Sequence, residues 1–239
     1  MPGYLNSQLQ TPEATAAAAR QCERLWNTYG EFLSTLRDGP VLEIGPGRGE
    51  FLSLLTGGGA SSANRDIYAV DIDREVVDHT RERFPTVTIT HSDAREYIQA
   101  GHCQFAAVFM LHVLEHLDAD HATALLAAIR EQLLPGGIAV IEVPNSACSH
   151  VGNTIHSSDI THRVAYTSIS LRQICRLAGF TSIEVAGIRP RGNSPARLAQ
   201  RVAIALLITL DRIRHKIFLP SWHFLHEPTI YAVCKANRS

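Results

Sequence analysis

The sequence predicts an α/β fold built on a mostly parallel sheet, and three features point to it. Short apolar runs that read as strands alternate with helix-like segments from residue 40 to residue 143. Those runs are mostly continuous, as in parallel strands buried on both faces. The third feature is the stretch Val41-Leu-Glu-Ile-Gly-Pro-Gly-Arg-Gly-Glu-Phe-Leu52. There a strand gives way to Gly45, Gly47 and Gly49, and a helical pattern resumes at Phe51, Leu52, Leu54 and Leu55. A strand that ends in a glycine turn and reopens as a helix sets backbone N–H groups beside a ligand. Glycine suits the turn because a Cβ would block close approach and because tight turns often need positive φ. The spacing is G-x-G-x-G, not the dinucleotide pattern G-x-G-x-x-G.

Taken in order, residues 11–37 read as a helix. Thr11-Pro12-Glu13 is a capped start with proline in the first turn. Leu25, Tyr29, Phe32, Leu33 and Leu36 recur at helical spacing, and packing against the sheet is the favoured role. Strands are expected at 40–44, 67–71, 86–90, 104–110 and 137–143, and helices at 49–56, 74–84 and 119–134. Repeated strand–helix units imply right-handed crossovers and a ligand at the carboxyl ends of the strands. Leu171, Ile174, Leu177 and Ala178 mark a further helix stopped by Gly179, and Phe180–Ile188 and Thr229–Lys235 supply two last strands. The organisation expected is an N-terminal helical segment at 1–38, a main domain at 39–188 plus 228–236, and an insert at 189–227.

With 239 residues, 45% hydrophobic and 19% charged, the chain reads as a soluble globular protein of one substantial α/β domain, or a domain with a small cap. A net charge of −1 gives no case for nucleic-acid binding. Cys22, Cys103, Cys148, Cys175 and Cys234 contain no C-x-x-C pair, which reads as reduced thiols in a cytoplasmic protein. No basic segment followed by an apolar core opens the chain, so no secretory signal is visible. The insert is the oddity. Residues 189–216 hold seven Lys or Arg and one acid, Asp211, around nine uncharged residues, Val202-Ala-Ile-Ala-Leu-Leu-Ile-Thr-Leu210. A spanning helix needs roughly twenty apolar residues. The insert therefore reads as a helix buried under the domain or in a homodimer, or as one in peripheral membrane contact over 197–218. Apolar residues all round the helix favour burial.

Glu43-x-Gly45-x-Gly47-x-Gly49 resembles the first motif of the class I S-adenosylmethionine-dependent methyltransferases. The resemblance continues in order with Asp71 in Tyr68-Ala-Val-Asp-Ile-Asp73 and Asp93 in His91-Ser-Asp-Ala-Arg95. Leu111-His-Val-Leu-Glu-His-Leu117, Leu134-Pro-Gly-Gly137 and Glu142-Val-Pro-Asn145 extend it, over about residues 41–180. It implies a Rossmann-like three-layer sandwich with a seven-stranded, mostly parallel sheet and an antiparallel last strand. It also implies S-adenosyl-L-methionine as cofactor, held by Glu43, Ile44, Gly45, Pro46, Gly47, Gly49, Asp71, Ile72, Asp93, Ala94 and Leu111. By the resemblance Asp93 accepts from the adenine amino group and Glu43 faces the methionine end. Asp71 is the carboxylate for the ribose hydroxyls; it lies 22 residues after Gly49 (71 − 49), close to the spacing of ribose-binding acids in nucleotide folds. A helix cap is the bland alternative for Asp71 and Asp93.

Methyl transfer from a sulfonium is an in-line displacement, so a site must align the acceptor, exclude water and, for a hydroxyl, remove a proton. His112, His116 and His162 are the catalytic candidates, because imidazole titrates near neutrality. His112-Val-Leu-Glu-His116 also fits H-x-x-E-H, the inverted zinc-protease pattern. That pattern belongs in the middle of a helix, and this stretch directly follows an apolar strand, so no metal is expected. The same stretch resembles the Glu-Val-x-Glu-His motif of a subset of quinone-biosynthesis O-methyltransferases, linked there to a divalent metal, with His112 in place of the first Glu. His156-Ser-Ser-Asp-Ile-Thr-His-Arg-Val-Ala-Tyr-Thr167 resembles the loop that lines the acceptor pocket in small-molecule and glycan methyltransferases.

The function expected is S-adenosylmethionine-dependent methyl transfer to a small-molecule or glycan acceptor, at a hydroxyl oxygen. A quinone-type or secondary-metabolite O-, C- or N-methyltransferase is the neighbouring alternative. Rivals from other classes are an NAD(P)-dependent oxidoreductase, disfavoured by the glycine spacing, and a non-catalytic donor-binding protein. The basic insert suggests an acceptor bearing phosphate or presented on a lipid.

Overall fold

A computed structural model describes residues 12–57, 65–191 and 194–235. The chain runs α1 (Pro12–Ser34), β1 (Val41–Ile44), α2 (Glu50–Thr56), β2 (Ile67–Asp71), α3 (Arg74–Arg83), β3 (Thr88–His91), α4 (Ala94–Gln99) and β4 (Phe105–Leu111). It continues through α5 (Ala119–Gln132), β5 (Leu133–Pro144), α6 (Gly152–Ser157), α7 (Ser168–Leu177), β6 (Ser182–Gly187), α8 (Pro195–Phe218) and β7 (Thr229–Lys235). The seven strands form one sheet in the order β3-β2-β1-β4-β5-β7-β6. β1 runs parallel to both β2 and β4, β2 runs parallel to β3, and β6 and β7 pair antiparallel from Ser182↔Lys235 to Gly187↔Ile230. This is the mostly parallel sheet with an antiparallel close that the motif order implied.

By compactness the chain divides into two units. One carries residues up to Leu111 with Ala128–Ala139, and the other His112–Ala127 with Val140–Lys235. In the first unit every residue of β1 is buried, and β4 is buried up to its last residue. Continuous apolar runs are what such central parallel strands require. Tyr29 of α1, Phe51 of α2 and Phe109 of β4 form an aromatic cluster, with ring centroids 4.6–6.3 Å apart. Offset and edge contacts of this kind add to the area buried. The leading helix thus packs into the core through Leu25, Tyr29 and Leu33. Thr11 and the side chain of Phe32 lie outside the described residues.

Four elements differ from expectation. α4 and α6 have only six residues each, too few to print a helical period in the sequence. The helix expected to reach residue 134 stops at Gln132 and extended backbone begins at Leu133, because Pro135 biases the residue before it away from helix. α8 is not buried under the domain: only Ile208 and Asp211 are buried along it. Most of its large apolar residues, from Leu198 to Ile217, are exposed, and Ile208 is the one among them that is buried. Among the described residues no helix is long and apolar enough to cross a membrane. All five cysteines are free thiols.

Replacing Phe109 by Ala should cost about 3–5 kcal/mol in chemical denaturation, because a fully buried ring leaves a cavity against Tyr29 and Phe51. A loss under about 1 kcal/mol would show that this cluster does not hold α1 to the sheet.

Candidate active site

The strand order turns back at β1, which has β2 on one side and β4 on the other. Open α/β sheets bind ligands outside the carboxyl ends of the strands at such a point. There the chain turns through Gly45, Gly47 and Gly49 with φ of 70°, 53° and 79°, a region that costs an L-residue about 1–2 kcal/mol. The turn is closed by Gly45 N–H to the Val70 carbonyl (2.9 Å) and Gly49 N–H to the Pro46 carbonyl (2.8 Å). A Cβ on Gly49 would lie 2.3 Å from a ring carbon of Phe84, whereas a Cβ on Gly47 would meet nothing within 4 Å. Gly49 is therefore demanded by packing. Gly47 leaves open space that a ligand can enter.

Glu43 lies on β1 beneath this turn, 3% exposed, and its Oε2 has no hydrogen-bonding partner among the described residues. Burial, with Glu50 and Asp71 as further negative neighbours, raises its pKa to about 8. Asp71 ends β2, and burial raises its pKa to about 6 against the opposing Asp73 N–H, which donates to Oδ1 at 2.8 Å. Asp71 is not the cap of α3; Asp73 is, accepting from Glu75 N–H at 2.8 Å. Asp93 does cap α4, its Oδ1 accepting from Arg95 and Glu96 N–H at 2.9 and 3.1 Å. Ile44 and Pro46 are buried, whereas Ile72 is 72% exposed. Ala94 opens α4 and Leu111 closes β4. A buried carboxyl oxygen without a partner suits a ligand cation, and the space over Gly47 suits an approaching adenosyl group.

In the second unit His112 stands in the left-handed region, φ 56°, alone among the described non-glycine residues. A bulky residue holds that conformation only when its surroundings fix it. Its N–H donates to the Glu142 carbonyl (2.9 Å), Nε2 lies 2.7 Å from Glu142 Oε1, and Nδ1 lies 3.3 Å from Glu115 Oε1. Burial pulls its pKa down, but the hydrogen bonds and charges of Glu115 and Glu142 outweigh that and lift it to about 10. His112 is thus an imidazolium at neutral pH, clamped by two buried carboxylates. It has no lone pair for a proton, so this geometry argues against the general-base role expected for it. Glu142 was quoted in a motif, yet no spacing announced it as the partner of His112.

His116 and His162 come together, their ring centroids 4.7 Å apart. His116 Nδ1 lies 2.8 Å from the Thr161 hydroxyl. His162 Nδ1 lies 3.0 Å from the His156 carbonyl, so in the neutral ring that nitrogen carries the proton and Nε2 keeps its lone pair. His156 stacks on His162 at 5.5 Å. Leu114–His116 is a single 3₁₀ turn, so His112 and His116 do not share a helical face as the inverted zinc-protease pattern requires. A different trio does converge: ligand atoms of Glu115, His116 and His162 lie within 4.8 Å of one another, a donor set suited to a divalent cation. Asp159 accepts from Thr161, through its N–H (2.8 Å) and its hydroxyl (2.6 Å). Tyr166, which the sequence did not single out, is buried with its hydroxyl unpartnered among the described residues. Its position in the polar loop was the available signal.

A glycine turn at a sheet switch point, with an acid, Asp71, ending the neighbouring strand β2, defines an α/β domain that binds an adenosyl cofactor. The chain belongs to the family described as a methyltransferase domain, which residues 16–185 match. Such a domain uses S-adenosylmethionine as methyl donor. A probable S-adenosylmethionine-dependent methyltransferase of Mycolicibacterium smegmatis is 27% identical over 153 residues, 62% of this chain and 54% of the relative. The chain thus spans about half the length of that relative. Among solved structures, a SAM-dependent methyltransferase from Archaeoglobus fulgidus shares the fold with a TM-score of 0.64 at 24% identity, covering 91% of this chain and 94% of its own. N-methyltransferase NodS from Bradyrhizobium japonicum, solved with S-adenosyl-L-homocysteine, shares it with a TM-score of 0.61 at 15% identity, covering 97% and 95%.

The clamp predicts a pH signature. Because the folded pKa of His112 is raised from 6.5 to about 10, its stabilisation is full below about pH 6.5 and fades as pH rises toward 10. His112→Ala should remove that dependence and cost roughly 2 kcal/mol at neutral pH, discounted because the ring is 38% exposed. Urea melts across that pH range check both; a wild type whose stability is flat in pH would refute the clamp.

Proposed function

We propose that the chain is an enzyme that moves the methyl group of S-adenosylmethionine to a hydroxyl oxygen of a small-molecule or glycan-like acceptor. The observation that carries the donor half is Glu43, a buried carboxyl with an unpartnered oxygen under an open glycine turn. In this reading Glu43 meets the methionine ammonium, Asp71 the ribose hydroxyls and Asp93 the adenine amino group. The exposed Ile72 gives the adenine ring an apolar surface to cover. Ile44, Gly45, Pro46, Gly47, Gly49, Ala94 and Leu111 supply the surrounding wall.

The donor supplies a methyl carbon already activated by its sulfonium. The chain's part is to fix the two reactants, keep water out and take one proton. His162 is the base that the geometry supports best. Its Nδ1–H is committed to the His156 carbonyl, so Nε2 takes the acceptor's hydroxyl proton as the C–O bond forms and the C–S bond breaks. His116, anchored on Thr161, orients the acceptor. His112 holds the loop after β4 in place as a cation. An oxygen acceptor is the reading favoured because it needs a base, and two imidazoles sit in the polar loop.

Calorimetric titration with S-adenosylmethionine should show binding that Asp71→Ala weakens at least tenfold, roughly the worth of a charge-assisted hydrogen bond, without a matching loss of melting temperature. No heat at millimolar donor would end the proposal. Glu43 adds a pH test. Its free carboxyl is largely protonated below pH 8, and only the carboxylate pairs with an ammonium, so donor affinity should rise from pH 6 to about 8. Glu43→Gln should flatten that rise; a flat wild-type profile removes Glu43 from the site. For the chemistry, His162→Ala should lower kcat by roughly a hundredfold in donor consumption with a panel of hydroxylated acceptors. A protein that binds donor and consumes none with any acceptor is a donor-binding scaffold.

A further inference from the structure

We infer that α8 docks the protein on an anionic phospholipid surface. α8 has 24 residues, about 36 Å of helix. Its inward face is Ile208 and Asp211, with Asp211 tied to the Ser149 hydroxyl and to His150 Nε2 at 3.6 Å. The opposite face is Leu198, Val202, Leu206, Leu210, Ile213 and Ile217, each between 53% and 70% exposed. Their spacing of four, four, four, three and four residues confines them to an arc of about 120°. Trp222, 53% exposed, adds a further exposed apolar ring four residues past the helix end. A bare face of this length is more than scattered surface hydrophobics.

The charges say what covers it. Arg201, Arg212 and Lys216 border the stripe on one side and Arg214 on the other, all in exposed positions. Between residues 189 and 226 the single acid is Asp211, which is buried on the inward face. Beside the stripe lies a groove of about 470 Å³ whose lining includes Arg189, Arg191, Arg201 and Arg212, with Leu198 and Val202 also on its wall. Arg189 is fixed there by Glu227, its Nε 2.7 Å from the carboxylate. Cations grouped against an apolar wall match a phosphate headgroup beside an acyl chain. A second copy of the chain is the poorer occupant. A two-fold contact through this stripe would bring the same cationic borders together, with no exposed acid on the segment to receive them. An apolar stripe flanked by Arg and Lys is the pattern of a helix lying in a membrane interface.

Flotation of the full chain with vesicles tests this. The protein should bind vesicles of phosphatidylcholine mixed with phosphatidylglycerol, fail to bind phosphatidylcholine alone, and release as salt rises. Leu206→Glu with Leu210→Glu, and separately Arg201→Glu with Arg212→Glu, should each weaken binding by roughly tenfold or more. Thermal melts and donor titration of the same variants should be unchanged, which keeps this result separate from that of the methyl-transfer reading. Wild type that ignores anionic vesicles, or variants that bind as well as wild type, overturns the inference. So does a stable dimer in light scattering that the Leu206/Leu210 variant splits, since the stripe would then belong to a second copy.

Discussion

The left-handed turn that closes β1 is the constraint from which the donor side of the protein follows. Three residues in a row of five take positive φ, a conformation only glycine reaches cheaply. The turn is pinned by a hydrogen bond to β2 through the Val70 carbonyl. It is pressed against Phe84, which leaves no room for a side chain at Gly49. Because β1 is the central strand between β2 and β4, the turn opens where the sheet's connections diverge to either side. Glu43, two residues earlier, is buried with an oxygen unpartnered among the described residues. A charged carboxyl in that setting is unfavourable, and burial raises its pKa to about 8.

A second constraint governs the loop after β4. The clamp of His112 between Glu115 and Glu142 joins a left-handed residue, a 3₁₀ turn and the end of β5 through one cation. Two buried carboxylates would repel each other without it. The clamp therefore sets the positions of Glu115 and, through the neighbouring turn, His116. His162 reaches the same clamp, with Nε2 4.0 Å from Glu115 Oε1 and Nδ1 3.0 Å from the His156 carbonyl.

Where side-chain type and local spacing decide the structure, the sequence was readable. The turn was legible because its glycines are consecutive in pattern, and the strands because burial on both faces leaves an unbroken apolar run. Asp71 at the end of β2 was legible through the motif resemblance and its distance of 22 residues from Gly49 (71 − 49). What joins distant segments was not. Glu142 sits in a strand that reads as apolar, and nothing local pairs it with His112. That partner, together with Glu115, raises the pKa of His112 to about 10. α8 failed differently: nine uncharged residues concealed that Val202, Leu206 and Leu210 share one face while Ile208 turns the other way. Only the packing of the remainder decides which face is covered.

The most direct measurement is a crystal structure of the chain with S-adenosylhomocysteine. The adenosyl group should lie over Gly47, with its ribose hydroxyls within hydrogen-bond reach of Asp71 and the ammonium of the homocysteine end at Glu43. A product bound away from the β1 turn, with Glu43 still unpartnered, would contradict it.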